Sequence, residues 1–174
     1  FQTLTPELKT RLINKAVDFV RDAGPGSIES LFYAEYVNLI SGQLAAEAVD
    51  VLRARATSSA PRELKAVAYS IQHSYPNFAL DHADIVDALL TSAQKISEET
   101  LRSVGSCLAA GAHSRTISRQ IGEPAKEYVQ MQERAAQLKR QFMPDSITYK
   151  FYSNLEKAAQ WDLEREAAED AEVM

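Results

Sequence analysis

The feature that most constrains this chain is an apolar pattern that recurs 37 residues further on, in two separate places. Leu64, Lys65, Val67, Ala68 and Ile71 correspond to Leu101, Arg102, Val104, Gly105 and Leu108. The same shift carries Ala48, Val49, Asp50, Val51 and Leu52 onto Ile85, Val86, Asp87, Ala88 and Leu89. Within these segments apolar residues fall mostly three and four apart, which gathers them on one face of a helix. Two different helices obeying one period imply a supersecondary unit used twice, burying its apolar face against its neighbour.

Helix boundaries are marked by chemistry as well as by period. Thr5-Pro6-Glu7 opens a helix: Thr5 caps free N–H groups, Pro6 costs nothing at the first helical position, and Glu7 suits the positive end. Leu8, Leu12, Lys15, Val17, Phe19 and Val20 form its imperfect stripe, and Gly24-Pro25-Gly26 ends it. Ser27 caps the next helix, in which Ile28, Leu31, Phe32, Tyr36, Leu39 and Ile40 recur until Ser41-Gly42. A helix follows from Gln43 to about Ala56, with Leu44, Ala48, Val51, Leu52 and Arg55 on one face. Pro61 opens another, closed by Tyr75-Pro76-Asn77, and Asp81 and Ser97 are the expected caps of two more.

The stretch from Leu101 to Leu108 resembles the first helix of a HEAT repeat, and the likeness extends over residues 27–112. It implies an all-α fold, a short right-handed α-solenoid of stacked helical hairpins with about eight helices. An irregular helical bundle is the plainer alternative. After His113 the register breaks, and residues 111–119 read as a loop or short turn. Gly122-Glu123-Pro124 starts a longer helix with Tyr128, Met131, Ala135, Leu138 and Phe142 along a narrow seam. Met143-Pro144-Asp145 interrupts it, Asp145 or Ser146 caps the last helix, and Ile147, Phe151, Tyr152, Leu155, Ala159 and Leu163 face back. The expected organisation is one domain over 1–163. It comprises an N-terminal helix (1–23), helix pairs (27–112) and a C-terminal hairpin (122–163) that covers the open end of the stack. Residues 164–174, rich in Glu and Asp, are expected to fray.

Charge and cysteine usage narrow the function classes. The net charge is −5, and residues 111–150 are the one basic block, with 7 basic against 4 acidic side chains. Cys107 is the single cysteine, so an internal disulfide framework and a thiolate metal cluster are excluded, and a reducing, cytoplasmic setting is the simplest. No apolar run approaches the ~18 residues needed to span a bilayer. Phe1 in place of an initiator Met suggests a piece of a larger protein.

Candidate sites each carry a plain structural alternative. Asp81, His82, Asp84 and Asp87, with His73, are oxygen and imidazole groups of the kind that hold metals. As caps and favourable charges at a positive helix end they need no metal. Cys107 and His113 are the pair a thiol enzyme would use, but six residues apart on a helix they point in different directions. No phosphate loop, nucleophile elbow, dinucleotide fingerprint or zinc-protease motif is present.

Two groups remain as binding candidates. Arg53, Arg55, Arg62 and Lys65, with Arg115, Arg119, Lys126, Arg134, Lys139 and Arg140, would contact phosphates if they lined one face. Glu127 and Glu133 beside the later ones offer ordinary pairing on a solvated helix instead. Trp161 falls off the stripe of the last helix and, with Tyr149, suits a partner anchor. The expectation is a non-enzymatic protein–protein interaction or accessory module without cofactor or metal, working with a protein partner or with other domains of a parent chain. A nucleic-acid-contacting helical domain is the alternative, and a helical enzyme without a recognisable motif a more distant one.

Overall fold

A computed structural model describes residues 4–41, 45–74, 77–113, 117 and 119–173, the side chains of 37–41 excepted. The stop at Gly42, the helix start at Gln43, the apolar position Leu44, the Tyr75-Pro76 break and the cation Arg115 therefore lie outside the described residues, as do the side chains of Leu39 and Ile40. Among those described the chain has nine helices and no strand. They are α1 (Pro6–Ala23), α2 (Ile28–Ser41), α3 (Ala46–Arg55), α4 (Pro61–Ser74), α5 (Phe78–Asp81), α6 (Ala83–Ile96), α7 (Glu98–His113), α8 (Lys126–Lys139) and α9 (Ile147–Val173). They fall into two compact units, Phe1–His113 and Ser114–Met174. No helix among the described residues is long and apolar enough to cross a membrane.

The local chemistry sets most of the boundaries. Thr5 Oγ1 accepts the Leu8 N–H at 3.2 Å, Ser27 Oγ that of Ser30 at 3.1 Å, Ser97 Oγ that of Thr100 at 3.1 Å and Ser146 Oγ that of Tyr149 at 3.1 Å. Each satisfies a donor that the first turn leaves without an intrahelical partner. Between α1 and α2 the turn needs φ of 95° at Gly24 and 97° at Gly26, which residues with a β-carbon rarely adopt. Asp81 does not cap a helix. It ends the one-turn α5, formed because Leu80 and Asp81 N–H groups both bond the Asn77 carbonyl at 2.9 Å, and α6 starts after His82.

In the first unit α1 packs on α2, α3 and α4, α2 packs on α4, and α7 lies against α4, α5 and α6. Ile13, Leu52, Leu64, Ile71, Phe78, Ile85, Leu89 and Leu108 are all buried to 2% exposure or less. Each contributes roughly 1.5–3 kcal/mol by leaving water. The stretch 111–113, read from sequence as loop, is the last turn of α7, and Leu101, expected inward, is only half-buried.

The largest departure concerns α2. Ile28, Phe32 and Tyr36 were expected to face the core, yet they are 79%, 69% and 50% exposed, whereas Ser30 and Ala34 are fully buried. Two residues along a helix turn it by about 200°, so the large stripe (28, 32, 36) and the small stripe (30, 34) lie on opposite sides. The small side is the one turned inward. Its polar atom is satisfied there, because Ser30 Oγ donates to the Ser27 carbonyl at 2.8 Å and accepts the Gly26 N–H at 3.1 Å.

The second unit is an αα-hairpin. Met131 and Ala135 of α8 and Tyr152, Leu155 and Ala159 of α9 are buried, the side chains the narrow seam called for. Phe142, beyond the end of α8, stacks on Tyr152 with ring centroids 6.1 Å apart. Helix α9 then continues to Val173 through the acidic segment that composition marks for fraying. The reason is specific pairing: Glu166 and Asp170 are buried and bonded to the segment that enters α8.

Candidate interaction surface

Turning its small stripe inward leaves α2 with an aromatic outer edge beside α1. Leu12, Lys15, Ala16 and Phe19 of α1 and Phe32, Tyr33 and Tyr36 of α2 line a groove of about 510 Å³. The Phe19 and Tyr33 rings meet at 4.8 Å between centroids, tilted by 34°. That contact holds Phe19 in place while 42% of it stays open to solvent. Among the described residues Lys15 is the one charged group in the lining, exposed and with no carboxylate on it. Sequence reasoning missed this groove by assigning Phe19, Phe32 and Tyr36 to the core. The signal available to it was the second four-residue stripe, Ser30 and Ala34.

The cations of the first unit that would serve a phosphate strip bond acids and carbonyls. Arg53 bonds Asp84 and Asp50, each at 3.2 Å, Lys65 reaches Glu99 at 3.5 Å, and Arg62 donates to the Asp22 carbonyl at 3.4 Å. Arg55 is mostly buried and ties three helices together. It donates to Asp18 at 2.6 Å, to the backbone and side-chain oxygens of Asn14 at 3.1 and 3.2 Å, and to Glu63. Burial by itself would lower the Arg55 pKa, but Glu63 and Asp18 outweigh it and the guanidinium is held above its ordinary value.

In the second unit Arg119 makes a two-pronged bond to Asp170, at 2.7 and 3.0 Å, and its Nε lies 3.3 Å from Glu166. Asp170 also accepts the Gly122 N–H at 3.0 Å, and Glu166 accepts the Ala125 N–H at 3.2 Å. The Arg119 guanidinium, then Gly122, hold the Asp170 carboxyl below its usual range. Lys126 is exposed on the first turn of α8, and Lys139 bonds Glu156 at 2.5 Å. Lys139 also sits 5.7 Å from the ring centre of Tyr149, which is half-buried. Trp161 is 62% exposed with Arg165 stacked 5.4 Å over its ring.

The groups considered for metal or thiol chemistry are dispersed. Among the described residues no three His, Cys, Asp or Glu side chains gather around a point where an ion would sit. Asp81 is exposed, His82 packs on Phe78 at 4.8 Å, Asp84 is held by Arg53, and Asp87 lines a hydroxyl-rich hollow with Ser58, Thr91 and Lys95. His73 stacks edge-on to Tyr69 at 4.6 Å, and burial, opposed by Glu35, lowers its pKa. Burial pushes the Cys107 thiol up to about 11, so it is protonated near neutrality and a poor nucleophile. His113 is exposed. No protein-family model, curated protein or solved structure matches the chain.

Proposed function

We propose that this chain is a non-enzymatic protein–protein interaction module that engages its partner through the α1–α2 groove. The observation that carries this reading is the exposure of Phe19, Phe32 and Tyr36 around one apolar hollow. Each of these rings, by staying partly in water, forgoes a share of the roughly 1.5–3 kcal/mol that full burial of such a side chain contributes. Contiguous exposed aromatics are the usual mark of a surface that is covered by something else, and aromatic side chains dominate the energetics of such contacts. The pairing of Arg53, Arg55, Lys65, Arg119 and Lys139 with carboxylates weighs against the alternative, a phosphate-binding strip.

The scaffold behind the groove is proposed to be a short, HEAT-like α-solenoid of stacked helix pairs, in an intracellular setting suited to the lone thiol. Its support is the spacing of elements: α3 and α6 start 37 residues apart, at Ala46 and Ala83, and so do α4 and α7, at Pro61 and Glu98. Val49 and Val86, Leu52 and Leu89, and Ile71 and Leu108 are buried in both copies. Superposition of α3–α4 on α6–α7 with one hand of stacking is the geometric check.

The functional test begins with affinity capture from cells by the wild-type chain and by a Phe19→Ser, Phe32→Ser, Tyr36→Ser variant, followed by calorimetry with each purified partner. Binding by the wild type that the triple variant loses, and that an Arg53→Ala or Trp161→Ala chain keeps, is the expected result. Partners that bind the triple variant unchanged would place the interaction elsewhere. Binding to a nucleic-acid duplex that falls steeply with salt would favour the phosphate-strip reading instead.

A further inference from the structure

Resting on that reading, we infer that the groove takes an amphipathic α-helix whose apolar edge enters it and whose acidic residue meets Lys15. From Leu12 to Phe19 the groove runs two helical turns, about 10 Å along α1. That length matches the spacing of anchors at i, i+3 or i+4, and i+7 of a docked helix. An extended peptide is disfavoured by the lining. Its N–H and C=O groups would enter a hollow whose side chains are Leu12, Ala16, Phe19, Phe32, two tyrosines and one lysine. The walls are α-helices whose own backbone groups are already paired, so the main chain of a strand would find only two phenolic hydroxyls and one ammonium as partners. A helix brings its backbone hydrogen bonds with it and presents only side chains.

Charge then selects among helices. Arg21 and Arg55 of the same unit are each held by acids, whereas Lys15 stands in the aromatic lining without one among the described residues. An aspartate or glutamate beside the apolar edge of the incoming helix finds its counter-ion there, and a lysine or arginine in that place meets a like charge. The tyrosines at 33 and 36 bring phenolic hydroxyls to the groove, further polar partners beside an acid. An acidic amphipathic helix fits these requirements together.

The test uses the full chain and a phage-displayed library of random peptides about five helical turns long, counter-selected on a Phe32→Ala chain. Phe32 is 69% exposed, so this variant keeps the fold, and circular dichroism with thermal unfolding verifies that it does. Enriched peptides are expected to carry apolar residues at helical spacing with a flanking Glu or Asp, and to become helical on binding. Synthetic versions should bind the Phe32→Ala chain about tenfold more weakly or worse. Lys15→Glu should weaken them about three- to fivefold, with recovery when the peptide's acid is changed to Lys. Enriched peptides without helical spacing, or with basic flanks, overturn the acidic helix but leave the groove as an interaction surface. Self-association of the chain that depends on Phe32, with no peptide enriched, assigns the groove to a second copy and likewise overturns the helix. Peptides that bind wild-type and Phe32→Ala chains equally overturn the groove itself.

Discussion

Gly111 of α7 passes Gln72 of α4 so closely that a β-carbon on it would stand 3.1 Å from the Gln72 α-carbon. The neighbour is backbone, on one of the most extensive helix contacts of the first unit, and it has no rotamer with which to move aside. Gly105, two turns earlier on α7, meets only Leu90 Cδ2, at the ordinary distance of 3.9 Å. The same substitution is therefore expected to have opposite signs. Gly105→Ala gains up to about 1 kcal/mol from helix propensity, and it restores the residue present at the equivalent Ala68. Gly111→Ala has that same gain outweighed by overpacking, for a net loss of about 1–2 kcal/mol. Urea unfolding of the two variants decides it; equal stabilisation by both would show that α4 and α7 are not in close contact.

The Arg55 cluster should behave as a buried ionic network. Glu63 accepts from both Arg55 and Arg21, so Glu63→Ala leaves a mostly buried guanidinium with Asp18 as its one remaining acid and is expected to cost about 3 kcal/mol. Replacing both partners, Arg55→Met with Glu63→Met, removes the uncompensated charge and should recover most of that loss. A double-mutant cycle measured by denaturant unfolding at neutral pH checks both statements. Additive losses would mean that the pair is not coupled.

These features differ in how far they could be read from sequence, and the differences have physical causes. Thr5, Ser27 and Ser97 were legible as caps, and Ser146 as one of two candidates beside Asp145, because a cap depends only on the next three residues. The inward faces of α4 and α6 were legible because each offers a single apolar stripe. Helix α2 offers two stripes with the same period, and nothing local says that the small one packs. Choosing the large one hid the groove. Arg119 was read as a free cation because its partners, Glu166 and Asp170, are more than forty residues away in sequence. The same long-range pairing explains why an acidic segment holds its helix. The one-turn α5 depends on two carbonyls, those of Asn77 and Phe78, and leaves no periodic signal.

The Arg119 clamp gives a pH signature. Asp170 titrates below its ordinary value in the fold because Arg119 and Gly122 favour its charged form. Its contribution to stability is therefore complete above the unfolded carboxyl value, about 4, and is lost as pH falls through the lower folded value. Asp170→Asn should reduce stability at neutral pH, and the difference from wild type should begin to shrink below about pH 4 and vanish only once pH has fallen past the lowered folded value of Asp170. Hydrogen exchange localises the effect, with the Gly122 amide exchanging faster in the variant at neutral pH and α9 losing protection beyond Leu163. An unchanged Gly122 amide would mean that Asp170 does not hold it.

The assignment of faces on α2 can be checked from stability alone, without any partner. If Phe32 and Ile28 face solvent, Phe32→Ser and Ile28→Ser should change the unfolding free energy by no more than about 0.5 kcal/mol. Leu64→Ala, at a fully buried site, should cost about 2–5 kcal/mol, and Leu101→Ala, half-buried, about 1–2 kcal/mol. The reciprocal change is the more telling one. Ala34→Leu adds three carbons to a fully buried position and should destabilise by about 1–3 kcal/mol through overpacking, although leucine is a good helix former. A helix rotated by half a turn would reverse the pattern, making Phe32→Ser costly and Ala34→Leu harmless, and the aromatic groove would then be core.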